Sequence, residues 1–148
     1  MMMDYEAQQQ QEIEALQAIY QEDELELISA QYPEISLRIK LNSGQDGEEL
    51  DNDFRVALLI ELPSNYPDVI PRISLEGIDD IFSTERIQKA VKKLEDEASI
   101  NLGMVMVFSI VSALQDEIGI LLEEKKKEME MKAEKEKEKA EAIERRKF

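Results

Sequence analysis

The sequence predicts an α+β domain in which one helix precedes a four-stranded antiparallel sheet and two helices follow it, the last extending into a charged tail. Three observations predict this. Apolar residues recur at steps of 3 and 4 at both ends of the chain. The middle alternates with period 2 between proline- and glycine-marked turns. The order helix, strands, helices segregates the helices to one face of an antiparallel sheet.

The first helix is expected from Gln8 to Tyr20, after a flexible N-terminus over residues 1–7. Ile13, Ala15, Leu16, Ile19 and Tyr20 share a stripe, with Glu12, Glu14 and the glutamines opposite. Leu25 to Ser29 and Ile35 to Leu41 follow as strands joined at Tyr32-Pro33. In the second, Ile35, Leu37, Ile39 and Leu41 face one way and Arg38 and Lys40 the other. Asn42 to Asp53 is rich in Gly, Asp and Asn and reads as a loop. Phe54 to Leu62 is apolar nearly throughout, as in a central strand buried on both faces. Ile70 to Leu75 supplies a short fourth strand.

Ser83 or Thr84 can cap a second helix, whose Ile87, Ala90, Val91, Leu94 and Ala98 line one face and whose Lys89, Lys92, Lys93 and Glu95 line the other. Ser99 and Asn101 punctuate its end. A third helix is expected from near Gly103, with Met104, Val107, Phe108, Val111, Leu114, Ile118, Leu121 and Leu122 in phase. The domain therefore spans residues 8–122. Residues 123–148 form a Lys/Glu-rich helical extension of strong helix formers, with oppositely charged neighbours such as Glu123/Lys127 and Glu128/Lys132. No sustained heptad seam runs through it, so an exposed helix is preferred over a coiled coil.

Composition narrows the function. The 148 residues carry 18 Lys+Arg against 34 Asp+Glu, a net charge of −16, which argues against direct nucleic-acid binding. The excess sits in residues 1–122, with 25 acids and 8 bases, whereas the tail is nearly balanced. There is no Cys and no His, so thiolate chemistry, Cys-ligated metals and imidazole bases are absent. A carboxylate-only hydrolase would need two acids converging in an apolar pocket, and the acids here run in strings. No catalytic residue, cofactor or metal is expected. Asp46 to Asp53 has the composition of a calcium loop but not its spacing. The longest uncharged stretch, Asn101 to Gln115, is too short for a membrane span, and the polar, acidic start is unlike a signal peptide. The expectation is a cytoplasmic protein-binding module, monomeric in preference to homodimeric.

Three prolines within nine residues, Pro63, Pro67 and Pro71, must end the third strand and stiffen a turn, with Tyr66 placed to tie it to the body through its hydroxyl. An X-Pro bond in so tight a turn allows a cis peptide at Tyr66-Pro67. The Y-P-x-x-x-P element Tyr66-Pro67-Asp68-Val69-Ile70-Pro71, together with the opening Glu12-Ile13-Glu14-Ala15-Leu16-Gln17-Ala18-Ile19-Tyr20, resembles the RWD domain family over residues 8–120. That resemblance implies a fold like that of ubiquitin-conjugating enzymes, without their activity, since the required Cys is missing. Asn101-Leu102-Gly103-Met104-Val105-Met106-Val107-Phe108 and the charged tail are similar to one branch of the family, whose small members associate with developmentally regulated GTP-binding proteins. Gly103 beside this run suggests a close contact of helix on sheet. The family resemblance also implies binding to a large ribosome-linked activator of the general-control kinase. The residues expected to make an acidic docking face for such a partner are Glu12, Glu14, Glu22, Asp23 and Glu24. The rival expectation is a structural part that dimerises through the domain or pairs its tail as a coiled coil.

Overall fold

The computed structural model describes residues 4–43 and 54–146. Helix α1 spans Tyr5–Ile19. It begins before the expected Gln8 because Asp4 caps it: the Asp4 carboxylate accepts from the Ala7 amide at 2.7 Å. Tyr5 to Ala7 thus belong to the first helix.

Strands β1 (Leu25–Ser29), β2 (Ser36–Asn42), β3 (Arg55–Glu61) and β4 (Arg72–Glu76) form one sheet in the order β1-β2-β3-β4, antiparallel throughout. The register sets Leu25, Ile39, Leu58 and Leu75 in one row and Leu27, Leu37, Ile60 and Ile73 in the next. These rows make the face on which the helices lie. On β3, Val56, Leu58 and Ile60 are buried, but Ala57 and Leu59 are only half-buried. The expectation of burial on both faces fails because the opposite face carries polar side chains instead of a second helical layer. There Arg38 bonds Glu26 on β1 at 2.9 Å, and its Nε lies 3.4 Å from Glu76 on β4. The acid string Asp46 to Asp53 lies outside the described residues.

Helix α2 spans Thr84–Ile100; the Ser83 hydroxyl accepts from the Arg86 amide at 3.1 Å, and Ala90, Leu94 and Ala98 are buried. Asn101 closes it, donating to the Glu97 carbonyl at 2.8 Å. Gly103 then turns the chain with a φ of +90°, and a Cβ there would meet nothing within 4 Å. The glycine serves the backbone conformation and not the close helix-to-sheet contact that the sequence suggested. Helix α3 consequently starts at Val107, later than expected, and runs unbroken to Arg146. Met104 and Phe108 leave the core, 61% and 54% exposed, while Val107, Ile110, Val111, Leu114, Ile118 and Leu121 carry it.

The α3 helix is pinned to α2 by a buried carboxylate. Glu117 pairs with Arg86 at 2.6 Å and with Lys93 at 2.9 Å, and Arg86 also holds Glu124 at 2.8 Å. Lys125 sits 6.0 Å from the centre of the Phe54 ring. Contacts from α3 to the rest of the domain thus reach Glu124 and Lys125, just past the change in composition at residue 123.

Candidate docking surface

The site is best built from the proline-rich turn between β3 and β4. Prolines contribute carbonyls but no amide donors, so the turn must be satisfied from outside. Helix α1 supplies part of what is needed: the Gln9 amide donates to the Pro63 and Tyr66 carbonyls at 2.8 and 3.2 Å. The Gly103 amide donates to the Pro67 carbonyl at 2.8 Å, and the Tyr5 hydroxyl donates to the Asp68 carboxylate. Pro67 and Pro71 are buried, and the Tyr66-Pro67 bond is cis, as is Tyr32-Pro33.

Tyr66 is wholly buried, and its hydroxyl does two jobs. It donates to Glu12 Oε1 at 2.6 Å and accepts from the Met106 amide at 2.7 Å. The other oxygen of Glu12 accepts from the Val107 amide at 2.9 Å. Val107 is the first residue of α3, so a carboxylate from α1 caps the third helix from across the domain and meets the positive end of its dipole.

Glu12 is therefore not part of an exposed acidic face. Placing it there followed from the polar side of α1, but Gln9, Glu12, Ile13 and Leu16 form the buried stripe, and two of the four are polar because they face the turn. The spacing of Gln9 and Glu12 by three, in phase with Leu16 four further on, was the available signal.

Burial pushes the Glu12 carboxyl above its ordinary 4.5, and the hydrogen bonds from Tyr66, Val107 and Met106 pull it part of the way back. Burial, followed by the adjacent Glu12 charge, raises the Tyr66 phenol. Because the folded-state value of Glu12 is the higher one, its contribution to stability is complete below 4.5 and is lost as pH rises through the raised value. The stability of the native protein relative to a Glu12→Gln variant is thus expected to increase as pH falls from neutrality toward 4.5. Paired urea titrations across that range check this, and a difference independent of pH would contradict it.

The same lock sets out a surface. With Met106 and Val107 buried, the flanking Val105 and Phe108 point outward, 47% and 54% exposed. Across from them on α1 lie Ala15 and Ile19, the latter 54% exposed although the sequence placed it on the apolar stripe. Together with Gln8 and Gln11 they line an open groove of about 390 Å³. Glu14, Glu22 and Asp23 are exposed; Glu24 is half-buried and accepts from the Gln21 amide at 3.1 Å, bracing the turn after α1. The structure thus keeps four of the five acids at or near the surface and withdraws Glu12. Of the motif residues, Tyr66, Pro67 and Gly103 converge on the lock, Asn101 closes α2, and Phe108 is displayed in the groove.

Comparison with known proteins agrees with this architecture. The RWD domain model matches residues 7–118, most of the chain. Protein GIR2 of Saccharomyces cerevisiae is 38% identical over 79 residues, which cover 51% of this chain and 29% of that protein. The eIF-2-alpha kinase GCN2 of Homo sapiens is 32% identical over 117 residues, 75% of this chain and 7% of the kinase, and the Mus musculus kinase matches to the same extent. The chain spans less than a third of the length of these relatives. With the family model laid over a helix, four antiparallel strands and two further helices, the chain belongs to the RWD domain family.

Proposed function

We propose that this protein is a non-catalytic adaptor that binds translation-associated regulators in the cytoplasm: a developmentally regulated GTPase, a ribosome-linked activator of the general-control kinase, or both. The observation that carries this reading is the apolar surface formed by α1 and the start of α3, where Ile19, Val105 and Phe108 are exposed in one groove that no basic side chain lines. Similarity to an eIF-2-alpha kinase supports the translational setting. The two carboxylates buried among the described residues support a role without catalysis, since Glu12 is committed to Tyr66 and Val107, and Glu117 to Arg86 and Lys93. Among the described residues, no helix is long and apolar enough to cross a membrane.

Reversal of Glu22, Asp23 and Glu24 together to Lys is expected to abolish capture of these regulators from cytosol, because complementary charge steers association and like charge opposes it. Unchanged capture by the triple variant would remove these acids from the binding surface.

A further inference from the structure

We infer that the side of α3 turned away from the domain pairs antiparallel with the same side of a second copy of this chain, in a register that sets Lys126 opposite Glu136 and Met129 opposite Ala133. The pairing lies outside the docking surface and goes beyond the adaptor reading.

One side of α3 belongs to the domain. Glu117 and Glu124, seven residues apart, clamp it to α2 through Arg86. With 3.6 residues per turn, Leu122 and Lys126 each point about 200° away from Glu124, on the far side of the helix. That side opens to solvent along the extension. From Lys127 to Lys137 every residue is exposed, Met129 to 49%.

Along the far side, Leu122, Lys126, Met129, Ala133 and Glu136 recur at steps of 4, 3, 4 and 3, the spacing of the inward a and d positions of a coiled coil. In the sequence the spacing runs on to Ala140 and Ile143. Lys126 and Glu136 interrupt the apolar residues, so the tail of a single chain lacks a sustained seam. A second copy changes what those interruptions do.

In an antiparallel pair each a position meets a d position of the other helix, and residues equally far from the symmetry axis face each other. Lys126 and Glu136 are equidistant from Met131 in the sequence, and so are Met129 and Ala133. A two-fold axis level with Met131 therefore joins both pairs at once, each of them twice. Four layers result over roughly 15 Å, with a long apolar side chain on a short one and a cation on an anion.

Charge also selects the orientation. Parallel pairing would set Lys126 on Lys126 and Glu136 on Glu136, and would place two domains of 25 acids and 8 bases side by side. Antiparallel pairing puts position 122 of one helix level with position 140 of the other, which separates the domain ends by roughly 27 Å, several Debye lengths. The flanks keep the association weak, because Glu130 and Lys132 each meet their own counterpart in the second copy. The monomer expected from the broken seam thus gives way to a weak dimer.

The test is sedimentation equilibrium of the full chain, where a monomer–dimer equilibrium with a dissociation constant on the order of tens of micromolar is expected. Lys126→Glu and Glu136→Lys should each weaken the dimer about tenfold or more, since each sets like charges together in the seam. The two changes combined should restore it to within about threefold of the native chain, because the antiparallel register merely exchanges the partners. A parallel pair would behave otherwise: neither reversal adds a like-charge contact, and their combination rescues nothing. Since the chain has no Cys, oxidation of an equal mixture of Met129→Cys and Ala133→Cys chains reads orientation independently, and the mixed disulfide should exceed either self-linked product. A chain that stays monomeric up to about 300 micromolar, single reversals that dimerise like the native chain, a combined variant as weak as the singles, or an excess of self-linked product would each overturn the inference.

Discussion

Replacement of Tyr66 by Phe is expected to destabilise the domain by about 3 kcal/mol, because one oxygen serves two buried groups at once. Without it the Met106 amide has no acceptor and the Glu12 carboxylate loses its shortest donor. A hydrogen bond to a charged group contributes roughly 1.5–3 kcal/mol, and an orphaned buried donor costs about 1–3 kcal/mol, so even partial relaxation leaves a large loss. The volume of the ring is nearly unchanged, which keeps cavity formation out of the result. Glu12→Ala should cost a similar amount by the complementary route, leaving the Val107 amide and the Tyr66 hydroxyl without their acceptor. The double variant should cost clearly less than the two singles added, since both disrupt one network. Urea unfolding midpoints at unchanged slope measure all three, and a loss below about 1 kcal/mol for Tyr66→Phe would show that the hydroxyl is dispensable.

Glu117→Ala is the second large effect, about 2 kcal/mol. Removing one member of a fully buried ion pair costs roughly 3–5 kcal/mol, but Lys93 is about half exposed and Arg86 retains Glu124, which lowers the figure. The loss should be local in character. Amide exchange along α3 from residue 117 onward should accelerate, because Glu117 and Glu124 are where the long helix is clamped to α2. Glu124→Ala should cost well under 1 kcal/mol, as that side chain is about half exposed. Glu124 also differs from Glu12 in how pH acts. The Arg86 guanidinium holds Glu124 below its ordinary 4.5, so its contribution is present above that value and is lost on acidification, opposite in sign to Glu12. Equal destabilisation by the Glu117 and Glu124 variants would contradict the assignment of Glu117 as the anchor.

Much of the fold was legible in the pattern of residues. Period 2 in Leu25 to Ser29 and Ile35 to Leu41, prolines around Tyr66, and period 3.6 in Ile87 to Ala98 reproduce the elements to within a few residues. The boundaries that slipped did so for backbone reasons. Asp4 caps α1 earlier than its apolar stripe begins, and the positive φ of Gly103 delays α3 to Val107. Met104, Val107 and Phe108 were all in phase with the core stripe of the third helix, yet only Val107 is buried. Periodicity cannot show this, because it presumes a helix already under way.

The candidate site was legible only in part. Acids near the end of α1 were visible as a string, and three exposed ones remain available. The withdrawal of Glu12 was signalled only by its spacing from Gln9 and Leu16, and the display of Ile19 and Phe108 was not visible, since a helical wheel records which residues share a face and says nothing of what stands opposite.

The order of elements and the absence of thiol and imidazole chemistry were settled by local pattern and composition, quantities that each stretch of chain carries by itself. The cap that Glu12 lends to α3 and the groove beside it join residues 95 positions apart. Only the packed chain decided them, because a buried carboxylate is tolerated where folding brings donors to it, and no neighbouring residue in the sequence announces those donors.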